Sequence, residues 1–270
     1  MRQRSQTDAT IRFATLLSPV LYETYDYIVR YVGERLGIAT TLCTDCSLQE
    51  IVADQVDISF LCGLLYVRTT SAPSCPLELL AAPVLQGARY QDAPIYFSDV
   101  LVRKDSPYAS FDDLEGCVWA YNERVSHSGY NLVCYSLLER DKTPNYFRKM
   151  IASGAHLRSL QMVLDGRADA MALDSHVLDV LRAQQPELAA KLRVIDILGP
   201  SSIPPLVVSK RLDATLKREI QTVLLSMHAD PHAARELSKG KIQRFVAVTD
   251  EHYDDIRDML ARVEAVVFPF

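Results

Sequence analysis

The sequence is short of glycine, with 10 in 270 residues, against an average near 7% of positions. Few places therefore let backbone approach a phosphate closely, which argues against a glycine-rich nucleotide cradle. No apolar run approaches the ~18 residues of a membrane-spanning helix, so no membrane insertion is expected. No basic run is longer than Arg103-Lys104 or Lys210-Arg211, and 29 Lys+Arg against 34 Asp+Glu leave a net charge of −5. The concentrated basic face that nucleic acid requires is missing. The patterns GxGxxG, GxxxxGK[ST], GxSxG and HExxH are also absent, and with them the nucleotide, hydrolase-elbow and zincin chemistries they carry. Six cysteines are too few for a disulfide scaffold of this length. The single CxxC, Cys43-Thr44-Asp45-Cys46, has no second pair to complete a zinc site and reads better as a strand end entering a loop than as a redox motif. The N-terminal MRQRSQTDATIRF lacks the apolar stretch of about 7–15 residues that marks a signal peptide. A cytoplasmic chain, or one recorded without its leader, is expected.

What is present is a large core: 49% of residues are hydrophobic and 23% charged, enough for one large domain or two lobes. Ile11 to Leu17 reads as a buried strand, and Ser18-Pro19 as the cap and first position of a helix to Leu36, with Gly37 as its C-terminal stop. Strands over Ala39–Cys43 and Asp57–Leu61 flank Ser47-Leu48-Gln49-Glu50, a capping box. This βαβαβ order predicts a parallel sheet with helical crossovers. Ala93 to Lys104 is a long β-rich segment suited to crossing between lobes. Ser110–Asp113 then caps a short helix, Cys117–Tyr121 forms a strand, and helices run to Leu138 and from about Leu157 to Gly166. Strands are expected at Asp169–Leu173, Leu192–Ile197 and Pro205–Ser209, and helices at Ala214–His228 and Asp250–Val263. The order predicts two α/β lobes, 1–98 plus 200–270 and an inserted 99–199.

The candidate functional residues lie in loops after strands, where open α/β sheets place ligands. Ser126-His127-Ser128-Gly129-Tyr130 offers hydroxyls and amides at a helix start, an anion site by dipole and unpaired N–H groups; serine also caps helices routinely there. His156 in Ser153-Gly154-Ala155-His156 could donate to an anion. Tyr66 follows Cys62-Gly63-Leu64-Leu65, and Tyr96 lies in the crossover; each pairs an apolar ring with a hydroxyl suited to a closing cleft. Asp174 ends a strand and could receive a ligand ammonium or hydroxyl, or simply cap the next helix.

In order and spacing these loops resemble the phosphate/phosphite/phosphonate substrate-binding proteins of ABC transporters, the PhnD-like group. The stretches that carry the resemblance are Asp57 to Gly63 with Tyr66, Tyr96 to Pro107, Asp113 to Gly116, Ser126 to Tyr130, Gly154-Ala155-His156, Gly166 to Ala170 with Asp174-Ser175, Arg244-Phe245-Val246 and Tyr253 to Arg257, within residues 10 to 262. The resemblance implies a type II periplasmic-binding-protein fold, two lobes closing on a small ligand. It implies that Tyr66, Tyr96, Ser126, Ser128, His156 and Asp174 face the cleft, with Gly129 in the anion turn, no cofactor and no chemical step. His127 stands where that group usually has a small hydroxyl residue, and is expected at the ligand too. Tyr22, with Leu64 and Leu65, is expected to make one end of the cleft apolar. The function implied is capture of a small oxyanion or phosphonate-like organic ligand for an ABC permease, outside the cytoplasm. A cytoplasmic ligand sensor on the same fold, or an enzyme using His127 or His156 as acid/base, are the alternatives.

Overall fold

The computed structural model describes residues 10–268, so the reading of the first nine residues falls outside it. In chain order, β1 (Ile11–Thr15) leads through a 3₁₀ turn, Pro19–Leu21, into α1 (Tyr22–Leu36), then β2 (Thr40–Cys43), α2 (Leu48–Val52), β3 (Ile58–Phe60), α3 (Gly63–Thr70) and β4 (Leu77–Leu85). A second series holds β5 (Ile95–Arg103), β6 (Val118–Tyr121), α4 (Leu132–Glu139), β7 (Lys149–Ala152), α5 (His156–Leu164), β8 (Ala170–Asp174), α6 (Ser175–Gln184), α7 (Pro186–Ala189) and β9 (Leu192–Ser202). The chain then returns through β10 (Leu206–Ser209), α8 (Ala214–Ser226), α9 (Pro231–Lys239), β11 (Ile242–Val246) and α10 (Asp254–Glu264).

Two sheets result, one in the order β11-β4-β10-β3-β1-β2 and one in the order β7-β6-β8-β5-β9. The first draws on chain before and after the second. Within the first, β1 runs parallel to β2 and β3, as the alternation predicted. Its other half is antiparallel, because β10 returns against both β3 and β4 and β11 returns against β4. In the second sheet β6 is parallel to β7 and β8, while the long β5 runs antiparallel between β8 and β9.

Local rules place the helices. The Ser47–Glu50 capping box forms, with Ser47 N–H donating to Glu50 Oε2 at 2.7 Å and Glu50 N–H to Ser47 Oγ at 3.2 Å. Gly37 ends α1 at φ 65°, a conformation a side chain would strain. Ser18 stands at the cap position before Pro19, but its hydroxyl makes no capping bond. Cys43 and Cys46 form a disulfide where β2 runs into its loop, a covalent pairing that the strand-end reading did not contain.

One core cluster runs through both sheets, joining Phe13 and Ile58 of the first with Leu101 and Met171 of the second, and each sheet adds a smaller cluster of its own. Around the second, Trp119 stacks on Phe147 with ring centroids 4.6 Å apart, and Phe111 and Tyr146 extend the aromatic cluster. Helix α10 belongs to neither sheet alone: Ile256 and Leu260 pack with Leu61 and Leu64, while Val263 packs with the Trp119 cluster.

Candidate functional site

A cavity of about 270 Å³ collects the ends of many strands. From the first sheet come Leu16, Leu17, Ser18 and Pro19 after β1, Cys62 and Leu65 around the start of α3, Pro83 of β4, and Ile203 and Pro204 before β10. From the second come Tyr96 of β5, Asn122, Glu123, Val125, Ser126 and Ser128 after β6, Gly154 to Leu157 around the start of α5, and Asp174 at the end of β8. No Lys or Arg is among the described residues that line it. Any anion bound there is held by neutral donors.

The serine turn is a wide π-type turn, His127–Asn131, entering α4. Ser126 Oγ accepts from Gly129 N–H at 3.1 Å, and the Ser126 carbonyl accepts from Asn131 N–H at 3.1 Å. Ser98 Oγ donates to the Ser128 carbonyl at 2.7 Å and pins the turn to β5. A Cβ on Gly129 would lie 2.0 Å from Asn122 Oδ1, so this position requires glycine for close approach. Ser126 and Ser128 are both buried and both line the cavity. Burial raises the Tyr96 phenol well above its ordinary value.

His156 opens α5 beside this turn. Its Nε2 lies 3.3 Å from Asn122 Nδ2. With that amide donating, the ring proton sits on Nδ1. His156 Nδ1, Asn122 Oδ1 and Ser18 Oγ are buried with no hydrogen-bond partner, and all three residues line the cavity. Burial pushes the His156 imidazole down to about 4, so it is a neutral N–H donor. Asp174 Oδ1 accepts from the N–H groups of His176 and Val177 at 2.8 and 3.3 Å, capping α6. Burial nevertheless raises its carboxyl to about 7, against the lowering effect of those two bonds. It is therefore poised between donor and acceptor at neutral pH.

Of the nine residues expected at the ligand, Tyr96, Ser126, Ser128, His156 and Asp174 line this cavity; Tyr22, Tyr66, His127 and Gly129 do not. Tyr22 does not line the cavity and donates to the Thr44 carbonyl at 3.2 Å, whereas Tyr25, one turn on along the same helix face, does line it. Tyr66 turns from the cavity toward Tyr253 and donates to Asp250 Oδ1 at 2.5 Å, while its neighbour Leu65 takes the inner face. His127 is fully buried behind the turn, its Nε2 2.8 Å from Ser201 Oγ and its Nδ1 3.2 Å from Asn131 Nδ2. Gly129 acts by making room for Asn122. Sequence reading missed Asn122, Tyr25 and Ser18 as cavity residues. Asn122 carried a usable signal, since it directly follows β6 at the strand end where such ligands sit.

The family model for "ABC transporter, phosphonate, periplasmic substrate-binding protein" matches residues 13–253. Among solved structures, a binding protein component of an ABC phosphonate transporter from Pseudomonas aeruginosa is 19% identical with a TM-score of 0.83, over 95% of this chain and 87% of that one. PhnD1 from Prochlorococcus marinus, in complex with methylphosphonate, is 16% identical with a TM-score of 0.82, over 95% and 99%. A Xanthomonas citri protein bound to ATP is 18% identical with a TM-score of 0.69, over 95% and 97%. At these identities the solved structures establish a shared two-lobed fold, and the family model extends over most of the chain. The chain belongs to the periplasmic substrate-binding proteins of phosphonate ABC transporters.

Proposed function

We propose that the cavity captures a small organic oxyanion of the phosphonate class and presents it to an ABC permease on the outer side of the cytoplasmic membrane. The observation that carries this reading is the convergence of Ser126, Ser128, Asn122 and His156 on one cavity, with unpartnered polar atoms on the last two. Buried polar atoms that lack partners cost free energy, and a ligand that supplies the partners recovers it. The serine hydroxyls and His156 Nδ1–H suit oxyanion oxygens, and a singly protonated phosphonate brings the O–H that Asn122 Oδ1 accepts. The lobes divide at 98/99 and 199/200, and closure between them replaces the ligand's hydration with fixed hydrogen bonds. Capture involves no chemical step, so the bound ligand is recovered unchanged.

A thermal-shift panel of phosphate, phosphite, methylphosphonate, alkylsulfonates, carboxylates and neutral aromatics tests this. A ligand at 100 times its Kd stabilises the native state by about 2.7 kcal/mol, and phosphonates are expected to give the largest shift. A neutral compound that shifts the midpoint while no anion does overturns the proposal.

A further inference from the structure

Behind the serine turn, side chains that the cavity does not use form one continuous hydrogen-bonded chain. Asn131 Nδ2 lies 3.2 Å from His127 Nδ1, His127 Nε2 lies 2.8 Å from Ser201 Oγ, and Ser201 Oγ lies 2.8 Å from Asp255 Oδ2. A carboxylate only accepts, so Ser201 gives its proton to Asp255, and its oxygen accepts from His127 Nε2–H. Nδ1 is then bare and accepts from Asn131. The same Asp255 oxygen takes a second bond from Ser202 N–H at 2.8 Å. His127 is 0% exposed, and Ser201 and Asn131 are 2% exposed. Burial pushes the His127 imidazole down to about 4, which agrees with a neutral ring carrying one proton.

These residues come from three separate parts of the chain: the turn before α4, the end of β9, and the first turn of α10. That last segment is itself anchored on several sides. Tyr253 donates to the Ile203 carbonyl at 3.0 Å, Ser202 Oγ donates to the His252 carbonyl, and Tyr66 donates to Asp250 at 2.5 Å. Arg257 adds ion pairs to Asp250 and Asp254 at 2.5 and 2.6 Å. His127 stands between the two cavity serines, so fixing it from behind fixes the direction in which Ser126 and Ser128 point.

We propose that Asp255, acting through Ser201 and the positioning residue His127, holds the Ser126 and Ser128 hydroxyls in their ligand-facing arrangement, so that the first turn of α10 sets ligand affinity without touching the ligand. This rests on the reading of the cavity as an oxyanion site. A smaller residue at 127 would leave Ser201 without its donor and the turn without a tie to α10. Replacing Asp255 by Asn preserves volume and leaves an amide oxygen that can still accept both bonds, but removes the charge that strengthens them, which weakens the hold on Ser201.

The test is amide hydrogen exchange on the ligand-free protein and its D255N, H127A and H127Q variants, together with methylphosphonate titration. D255N and H127A are expected to accelerate exchange over residues 126–132 about tenfold while amides of β1 and β3 keep their protection. H127Q, which keeps a side-chain N–H to reach Ser201, restores most of it. Methylphosphonate affinity falls in the same order. Unchanged exchange at 126–132 in D255N overturns the proposal, as does equal acceleration across both sheets, which signals general loss of stability. A wild-type protein that ignores methylphosphonate refutes that ligand, while the exchange pattern still decides whether Asp255 positions the turn.

Discussion

The two walls of the cavity differ in chemistry. The wall after β6 and β7 presents Asn122, Ser126, Ser128 and His156; the wall after β1 and β3 presents Leu16, Leu17, Pro19 and Leu65, with Pro83 and Pro204 beside them. The apolar side has one orphan polar atom, Ser18 Oγ. At the rim of the polar side, Val125 and Leu157 expose 37% and 38% of their surface, unusual for large apolar residues here. On the proposed reading, one wall takes the oxyanion and the other removes an organic substituent from water. With no Lys or Arg among the described lining residues, the proposed recognition rests on aligned hydroxyl and N–H groups rather than on net charge.

Asp174 lies at the edge of the polar wall, and its replacement gives the largest expected effect. Its folded carboxyl titrates near 7 because burial disfavours the anion, so between about pH 4 and 7 the native state binds more protons than the unfolded chain. The stability this proton supports is fully present below about pH 4 and lost as pH rises to about 7. D174N keeps the cap on α6 and removes the titration. Denaturant unfolding across pH should show the variant gaining on the wild type by a few kcal/mol between about pH 4 and 7, with no further change above. A constant difference would mean that the carboxyl is not buried as described.

The polar wall is sharpened next by S128A. Removing a hydroxyl that bonds a charged ligand should weaken methylphosphonate binding by about 1.5–3 kcal/mol, read by calorimetry. On the apolar wall, L17S should leave methylphosphonate within about twofold and weaken butylphosphonate by about 1 kcal/mol, near the value of a buried methylene group. Equal losses for both ligands would erase the distinction between the walls.

Much of this was legible in the sequence, and the limits have physical causes. The position of the serine turn, His156 and Asp174 at helix starts beside the cavity was legible because helix starts after strands follow local capping and dipole rules. The strand β4 was not, since its sequence LELLAAPVL is apolar but for Glu78 and has no period to separate strand from helix. Tyr66 lies off the cavity by helix phase, since its neighbour Leu65 took the inward face, whereas Tyr22 shares a face with Tyr25 but sits one turn short of the cavity and bonds to the Thr44 carbonyl. His127 was assigned to the ligand because its true partners are distant, 74 residues away at Ser201 and beyond that at Asp255. Motif order identified the loops, but the direction of each side chain depends on packing that only the folded chain supplies.

The central claim is that a neutral-donor wall takes the oxyanion while an apolar wall takes its substituent. Isothermal titration of the wild-type protein with methylphosphonate, butylphosphonate and 1-butanol tests it most directly. Both phosphonates are expected to bind, butylphosphonate to gain about 0.8 kcal/mol for each added methylene the cavity buries, and butanol to give no binding heat. Binding of butanol with no response to either phosphonate, or a butyl chain that weakens binding, would contradict it.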